Sequence, residues 1–152
     1  TKYAKNISQV GADFRFYQTL IPNERLTFGG RFGADHNFNG FAVGQAQFLG
    51  YEDALRGFRI QRFAGRSRAF ANADLRWKIS DVNMYLFPAS IGMVFFNDVG
   101  RVWMDNEESH TWHDGYGFGL WVCPARKFLV TGSLTFSKEE SGLAILTFGY
   151  QF

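Results

Sequence analysis

AILTFGYQF, residues 144–152, alternates large apolar side chains with small or polar ones. One face of this stretch carries Ala144, Leu146, Phe148, Tyr150 and Phe152. The opposite face carries Ile145, Thr147, Gly149 and Gln151. Successive side chains of a β-strand point to opposite sides of the sheet, so this alternation predicts a strand with one apolar face.

The same alternation recurs upstream, and turn or loop residues separate the segments. It predicts seven strands, at about 7–20, 25–37, 67–80, 85–103, 114–124, 127–138 and 142–152. Bacterial single-chain membrane barrels have even strand numbers, and about eight strands is the smallest number that closes. We therefore expect either an eighth strand, near Thr1 to Ser8 or within 41–63, or a larger sheet completed by further residues or by a second copy.

The composition favours a barrel in a membrane over a soluble core. Aromatic residues make up 18% of the chain, with 18 Phe and 17 Gly, yet the mean hydropathy is only −0.17. A lipid-facing aromatic surface combined with a small or polar inner surface gives such an average. No stretch has the roughly 18 to 20 uninterrupted apolar residues of a membrane helix. A soluble ligand-carrying barrel is disfavoured because the polar set Thr131, Ser133 and Thr135 forms one continuous face.

The connections between predicted strands differ in length, which orients the barrel. Those around residues 22–24, 80–83 and 124–126 are short, as periplasmic turns are, whereas about thirty residues separate Asn37 from Arg66. Met104 to Asp114 forms a second, polar loop. We expect a single domain, residues 1–152, with a long loop at about 38–66 directed into the lumen. Thr1 to Ser8 lacks the regions of a secretory signal, so we expect any export signal to have been removed or to lie upstream.

Several function classes are disfavoured by the residues present. The single cysteine, Cys123, permits no internal disulfide, and the formal charge of +2 does not favour nucleic acid as a partner. His110 and His113, with Asp105 and Asp114 nearby, are read as a solvated loop and not as a metal site. No nucleophile-elbow pattern accompanies the Ser, His and Asp residues. We expect no enzymatic activity, no metal and no cofactor, and we interpret the four Trp as an interfacial girdle.

Two motifs resemble the barrels of BamA/TamA-type outer-membrane assembly and translocation proteins, the bacterial surface antigen superfamily. LRGF, residues 55–58, lies in the long loop, and VFFNDVGRVW, residues 94–103, lies in a later strand. In that family the sixth outer loop carries an Arg-Gly-aromatic tip that folds back into the lumen, and a later strand carries a Phe-x-Asp-x-Gly pattern. Five predicted strands follow the loop, as in the family. The segment LTFGYQF, residues 146–152, resembles the C-terminal assembly signal of outer-membrane barrels.

The resemblance implies a luminal latch in which the arginine of the loop tip meets acids of the barrel wall. The residues concerned are Arg56, Gly57, Phe58, Asp74, Asp98 and Gly100. By strand parity Asp74 and Asp98 both point inward, and a planar guanidinium can bind two carboxylates at once. We expect Gly57 and the glycine row Gly115, Gly117 and Gly119 to let the tip approach the wall. Arg15, Arg31, Arg76 and Lys78 are expected to join this network or to line a wet passage.

The chain is therefore predicted to be all-β, an antiparallel transmembrane up-and-down β-barrel of about seven to eight strands, alone or within a larger or paired barrel. The resemblance implies a bacterial outer-membrane protein that inserts or translocates polypeptides. Its expected partners are outer-membrane lipid, nascent outer-membrane or secreted polypeptides and a second copy in a homodimer. The alternative is a passive membrane anchor or small pore. These 152 residues contain neither the periplasmic repeats nor the first half of the barrel that typical family members have, so we expect either a fragment of a larger barrel or a member without those modules that closes as a small barrel or pairs with itself.

Overall fold

The computed structural model describes residues 8–23, 25–38, 46–50, 55–83, 88–105, 110–125, 127–140 and 142–150. These residues form an all-β fold of nine strands. The strands are β1 (Gln9–Ile21), β2 (Leu26–Asn37), β3 (Gln47–Leu49), β4 (Phe63–Gly65), β5 (Ser67–Asn83), β6 (Pro88–Trp103), β7 (His113–Pro124), β8 (Phe128–Ser137) and β9 (Leu143–Tyr150).

Seven of these strands form one antiparallel sheet in the order β1-β2-β5-β6-β7-β8-β9. Each strand of this sheet pairs with the next one along the chain, apart from the two short strands of the long loop, which is the strand order of an up-and-down barrel. The seven predicted strands are confirmed. In the described part of the chain β1 pairs only with β2 and β9 only with β8, so the sheet has two edges there.

The long loop contains its own two-stranded sheet. Strands β3 and β4 pair antiparallel, with Gln47 opposite Gly65 and Leu49 opposite Phe63. The prediction of an eighth barrel strand within 41–63 is wrong for the described part of that segment, because β3 pairs with β4 and not with the main sheet. The other predicted position, near Thr1 to Ser8, lies almost wholly outside the described residues.

The turn predicted at Ser80 to Asn83 is also wrong. Strand β5 continues to Asn83, which pairs with Pro88, and a register shift between Lys78 and Ser80 carries the pairing past the polar residues. Polar contacts hold this extension in place, since the Ser90 hydroxyl donates a hydrogen bond of 2.5 Å to Asp81. The connection itself, residues 84–87, lies outside the described residues.

The main sheet has an apolar face and a face covered in part by the long loop. Residues paired across neighbouring strands point to the same side, so the register assigns each side chain to a face. The apolar face includes Phe14, Phe32, Leu75, Trp77, Phe95, Val99, Phe118, Leu120, Leu134, Leu146 and Phe148. The loop-covered face includes Asp13, Arg31, Asp35, Asp74, Arg76, Phe96, Asp98, Trp121, Thr131, Ser133 and Thr135.

The two faces of the main sheet differ in burial. Asp98 and Thr135 are fully buried on the loop-covered face, while Leu120, Leu146 and Phe148 on the apolar face are 58 to 75% exposed. A folded protein in water buries large apolar side chains and leaves carboxylates solvated. The apolar face of the main sheet departs from this rule, because its large apolar side chains are exposed, whereas the larger buried side chains of the sheet, both apolar and polar, lie on the loop-covered face.

Two small apolar clusters lie on the loop-covered face. One consists of Val94, Phe96, Trp121 and Cys123, with Leu129 packed against it. The indole Nε1 of Trp121 donates to the Met93 carbonyl at 3.1 Å, which fixes the ring across the sheet. The other cluster joins Leu49 of β3 to Phe70 of β5, with Phe63 and Val102 packed against it, and so fastens the loop hairpin to the sheet. No helix able to cross a membrane occurs among the described residues.

Candidate functional site

The tip of the long loop is a tight turn at residues 55–58. The backbone N–H of Phe58 donates to the Leu55 carbonyl at 3.3 Å, and the N–H of Leu55 donates to the Gly50 carbonyl at 3.3 Å. Leu55 and Phe58 are buried, with 0 and 1% of their surface exposed. These two apolar anchors on either side of Arg56 hold the tip against the sheet and direct the guanidinium along it.

Arg56 binds two carboxylates on adjacent strands. Its Nε and Nη2 donate to Asp98 at 2.7 and 2.6 Å, and its backbone N–H donates to the same carboxylate at 2.9 Å. Nη2 also donates to Asp74 at 2.5 Å. Asp98 lies opposite Asn72 in the register of β5 and β6, two residues from Asp74. The structure thus brings together Arg56, Asp74 and Asp98.

The three side chains differ in their access to water. The Asp98 side chain is 0% exposed, that of Asp74 is 18% exposed and that of Arg56 is 25% exposed. Burial lowers the pKa of Arg56, but its hydrogen bonds and charge interactions with Asp98 and Asp74 outweigh this effect, and its net pKa is raised above the ordinary value. The guanidinium therefore stays charged and supplies the positive charge that the buried Asp98 requires.

Phe96 completes the arginine site. The guanidinium carbon of Arg56 lies 4.0 Å from the centre of the Phe96 ring, within the range of a cation–π contact. Sequence reasoning missed this role, although Phe96 precedes Asp98 by two residues and shares its face. An aromatic residue two positions before the acid, on the same strand face, was the available signal.

Glycines let the tip approach the sheet. A Cβ on Gly57 would lie 2.6 Å from the Gly115 Cα, and a Cβ on Gly115 would lie 2.8 Å from the Gly57 Cα. The three glycines of the row lie on the loop-covered face, where Gly115 contacts the tip itself, Gly117 lies next to the Phe96 ring and Gly119 lies next to Ser133. Because Gly100 has no side chain, the side chains of Leu49 and Leu55 can pack against its backbone.

A second contact holds the loop beyond the tip. Phe58 and Phe63 both pack on His113, whose ring stacks on Phe63 with centroids 3.7 Å apart. His113 Nδ1 also lies 2.5 Å from the Glu139 carboxylate. The interpretation of His113 as part of a solvated loop is therefore wrong, because it begins β7 and is packed under the loop. Sequence spacing gave no indication of this stack, which joins segments fifty residues apart.

Basic residues after the tip reach the β8–β9 connection. Arg59 and Arg62 contact Glu140 at 3.5 and 3.3 Å, although their own side chains are mostly exposed. The Glu140 side chain is 12% exposed. Further along, the guanidinium of Arg68 binds Asp35 and the Phe48 carbonyl, each at 2.6 Å. None of these contacts was predicted from the sequence.

The other predicted luminal charges divide into three sites. Arg15 and Arg31 both bind Asp13, at 3.1 and 2.5 Å. Arg76 joins the Arg56 cluster through Asp74 at 3.5 Å. Lys78 binds Asp81 at 2.8 Å near the end of β5.

The predicted C-terminal signal is described in part. Phe148 lies on the apolar face and is 75% exposed. Tyr150 is the last residue of β9, opposite Phe128. Phe152 lies outside the described residues.

The chemistry that this site offers is binding of its own loop. It combines a permanently charged donor fork, two carboxylates and an aromatic ring in a partly water-excluded pocket. Among the described residues no group of three or more His, Cys, Asp and Glu side chains could hold a metal ion. Comparison with protein-family models, curated proteins and solved structures found no match for this chain.

Proposed function

We propose that the chain is a β-barrel segment of the bacterial outer membrane and that it acts in the insertion or translocation of polypeptides. The observation that carries the proposal is the loop arginine, Arg56, held by Asp74 and Asp98 on one face of an up-and-down sheet whose other face is aromatic and exposed. The proposed activity rests on the resemblance of residues 55–58 and 94–103 to BamA/TamA-type barrels.

The distribution of side chains supports a membrane location. Exposed Phe118, Leu120 and Leu134 on the apolar face would be costly in water and favourable in hydrocarbon. Where no protein partner covers this apolar surface, lipid has to cover it. On the opposite face the buried and charged groups point to a polar interior.

The spacing of two tryptophans also supports a membrane location. Trp77 lies opposite Met93, and Trp103 stands ten residues further along β6 on the same face. Ten residues of strand span roughly 33 Å, which becomes about 25 Å across a bilayer at the usual tilt of about 40°, the height of the apolar band in membrane barrels. Tryptophans at both borders match the aromatic girdles of such barrels.

The membrane location is tested by solubility. We expect the full chain to require detergent or lipid for a monodisperse preparation. A monodisperse preparation in plain buffer without denaturant would contradict the membrane location and with it the whole proposal.

Insertion activity is tested in vesicles. The full chain is reconstituted into phosphatidylcholine vesicles, a urea-unfolded outer-membrane barrel is added, and its protease-protected fraction is followed over time. We expect faster folding than in protein-free vesicles, and a slower rate again with Arg56→Ala. The matched control is Arg31→Ala, which removes the same charge from the same face away from the tip. Equal folding rates with and without the protein would contradict the activity.

The alternative function is a passive anchor or small pore. The loop tip and the Trp121 cluster pack on the loop-covered face and cover parts of β6 and β7. This packing favours the alternative function. Single-channel conductance separates these possibilities. An anchor gives neither conductance nor stimulated folding, and a small pore gives conductance alone.

A further inference from the structure

The apolar face carries a cation at its border with the loop end of the sheet. On β6 the residues of this face run Ile91, Met93, Phe95, Asn97, Val99, Arg101 and Trp103. Arg101 lies opposite Ala69, whose side chain leaves room beside it. On β5 to β8 the charged residues of this face are Arg101 and Asp114, and Asp114 has Lys138 at 3.9 Å.

Two indoles frame this arginine. The Arg101 guanidinium carbon lies 4.8 Å from the Trp103 ring centre and 6.0 Å from that of Trp112. The two indoles meet edge to face with centroids 6.2 Å apart. His110 Nδ1 lies 3.1 Å from Nη2 of Arg101. Both indoles are exposed, at 36 and 51%, so the cluster lies open at the surface.

This combination suits the surface layer of a membrane. Trp prefers the boundary between hydrocarbon and headgroups, where its ring is apolar and its N–H can meet water or a polar group. A guanidinium is weakly hydrated and binds phosphate with two parallel donors. Arg101 stands two residues before Trp103 on β6, and its guanidinium carbon lies beside the Trp103 ring, so the charged group lies at the same border as that indole and not in the middle of the apolar band.

We infer that Arg101, Trp103 and Trp112 form a binding site for the phosphate of an anionic membrane lipid. The inference rests on the proposed membrane location and is independent of the proposed insertion activity. The arginine binds the phosphate, and the two tryptophans hold the guanidinium in place and contact the upper part of the acyl chains. The site therefore selects lipid by headgroup charge in the leaflet at the loop end of the barrel.

Brominated lipids test the site because bromine quenches a nearby indole. The full chain is prepared with Trp77→Phe and Trp121→Phe, which leaves Trp103 and Trp112 as its indoles. It is reconstituted into phosphatidylcholine vesicles containing 20 mol% phosphatidylglycerol, with bromine on the acyl chains of one lipid or the other. We expect phosphatidylglycerol to be enriched about three- to fivefold at the indoles, the effect of one arginine at an anionic surface.

Arg101→Gln should remove this enrichment while leaving quenching by brominated phosphatidylcholine unchanged. The matched control is Arg25→Gln, which removes the same charge from an exposed position at the opposite end of the sheet. It should keep the enrichment.

Equal quenching by the two lipids in the parent chain, or enrichment that survives Arg101→Gln, would overturn the site while leaving the membrane location standing. Absence of quenching by either lipid in every variant would overturn both. Enrichment lost equally in Arg101→Gln and Arg25→Gln would show a dependence on net charge alone and would also overturn the site.

Discussion

Two arginine–carboxylate clusters lie on the loop-covered face of the sheet, and they differ in what covers them. In the first, Arg56 from the loop binds Asp74 and Asp98, and the Asp98 side chain has no exposed surface. In the second, Arg15 and Arg31 bind Asp13 within the β1–β2 hairpin, and the Asp13 side chain is 37% exposed. In both clusters the arginine and aspartate side chains lie at short hydrogen-bonding distances, so hydrogen-bond length does not distinguish the two clusters.

The difference lies in what remains when one member is lost. Water reaches Asp13 and would solvate it without Arg31, and Arg15 would still contact it. Water does not reach Asp98, and Arg56 is the cation that contacts it through both side chain and backbone. A buried charge without its partner is costly, whereas an exposed pair contributes little. The Arg56 cluster therefore fixes the position of the loop, and the Asp13 cluster does not fix a segment outside its own hairpin.

The largest expected effect is that of Arg56→Ala. It leaves Asp98 buried and next to Asp74, which should cost about 3 to 5 kcal/mol of the free energy of loop docking. We expect the segment between Asn37 and Arg66 to be cut faster by protease than in the parent protein. Limited proteolysis of the full chain in detergent, with the cut sites mapped by mass spectrometry, measures this. An unchanged cutting rate in that segment would contradict the latch.

Asp98→Asn should have the next largest effect. The amide keeps the shape of the side chain but replaces one acceptor of Arg56 by a donor, so two buried donors face each other. A charge-assisted hydrogen bond contributes roughly 1.5 to 3 kcal/mol, and we expect a loss of about that size. Cutting within 37–66 should be faster than in the parent chain and slower than in Arg56→Ala. The matched change Asp74→Asn should be milder, since Asp74 is partly solvated. The reverse order would show that Asp74 holds the arginine.

Gly115→Ala sharpens the comparison through packing instead of charge. Its Cβ would meet the backbone of Gly57, which has no flexible side chain to move aside, so the tip must lift from the sheet. Overpacking of this kind costs about 1 to 3 kcal/mol. Gly132→Ala is the control, because a Cβ there would meet nothing within 4 Å. We expect faster cutting of the loop in Gly115→Ala alone. Equal cutting in both variants would place the tip away from Gly115.

The sheet could be predicted well from the sequence because each strand is specified by the pattern of its own neighbouring residues. Strict alternation and turn residues specify the seven main strands, and parity places Asp74 and Asp98 on one face. The pairing of Arg56 with these acids came from the family resemblance, since parity alone does not give the path of a loop.

What sequence reasoning missed depends on that path. The three-residue strands β3 and β4 are too short for alternation to reveal. The stack of Phe63 on His113 and the hydrogen bond of Arg68 to the Phe48 carbonyl join segments that meet only after the loop has folded back. The extension of β5 to Asn83 was missed because a register shift carries its pairing past polar residues that resemble a turn.

Arg31→Ala should have the smallest effect of the series. The Arg31 side chain is 30% exposed, and Asp13 retains Arg15 and water after the substitution, so we expect a change of about 0 to 1 kcal/mol. Arg31 also packs on Phe70 with 4.8 Å from its guanidinium carbon to the ring centre, and loss of this contact stays within the same range. Thermal unfolding in detergent should shift little, and the loop should be cut as in the parent protein. If Arg31→Ala instead released the loop as strongly as Arg56→Ala, loop docking would depend on the total positive charge of the sheet face and not on burial of one carboxylate, and the contrast between the two clusters would be lost.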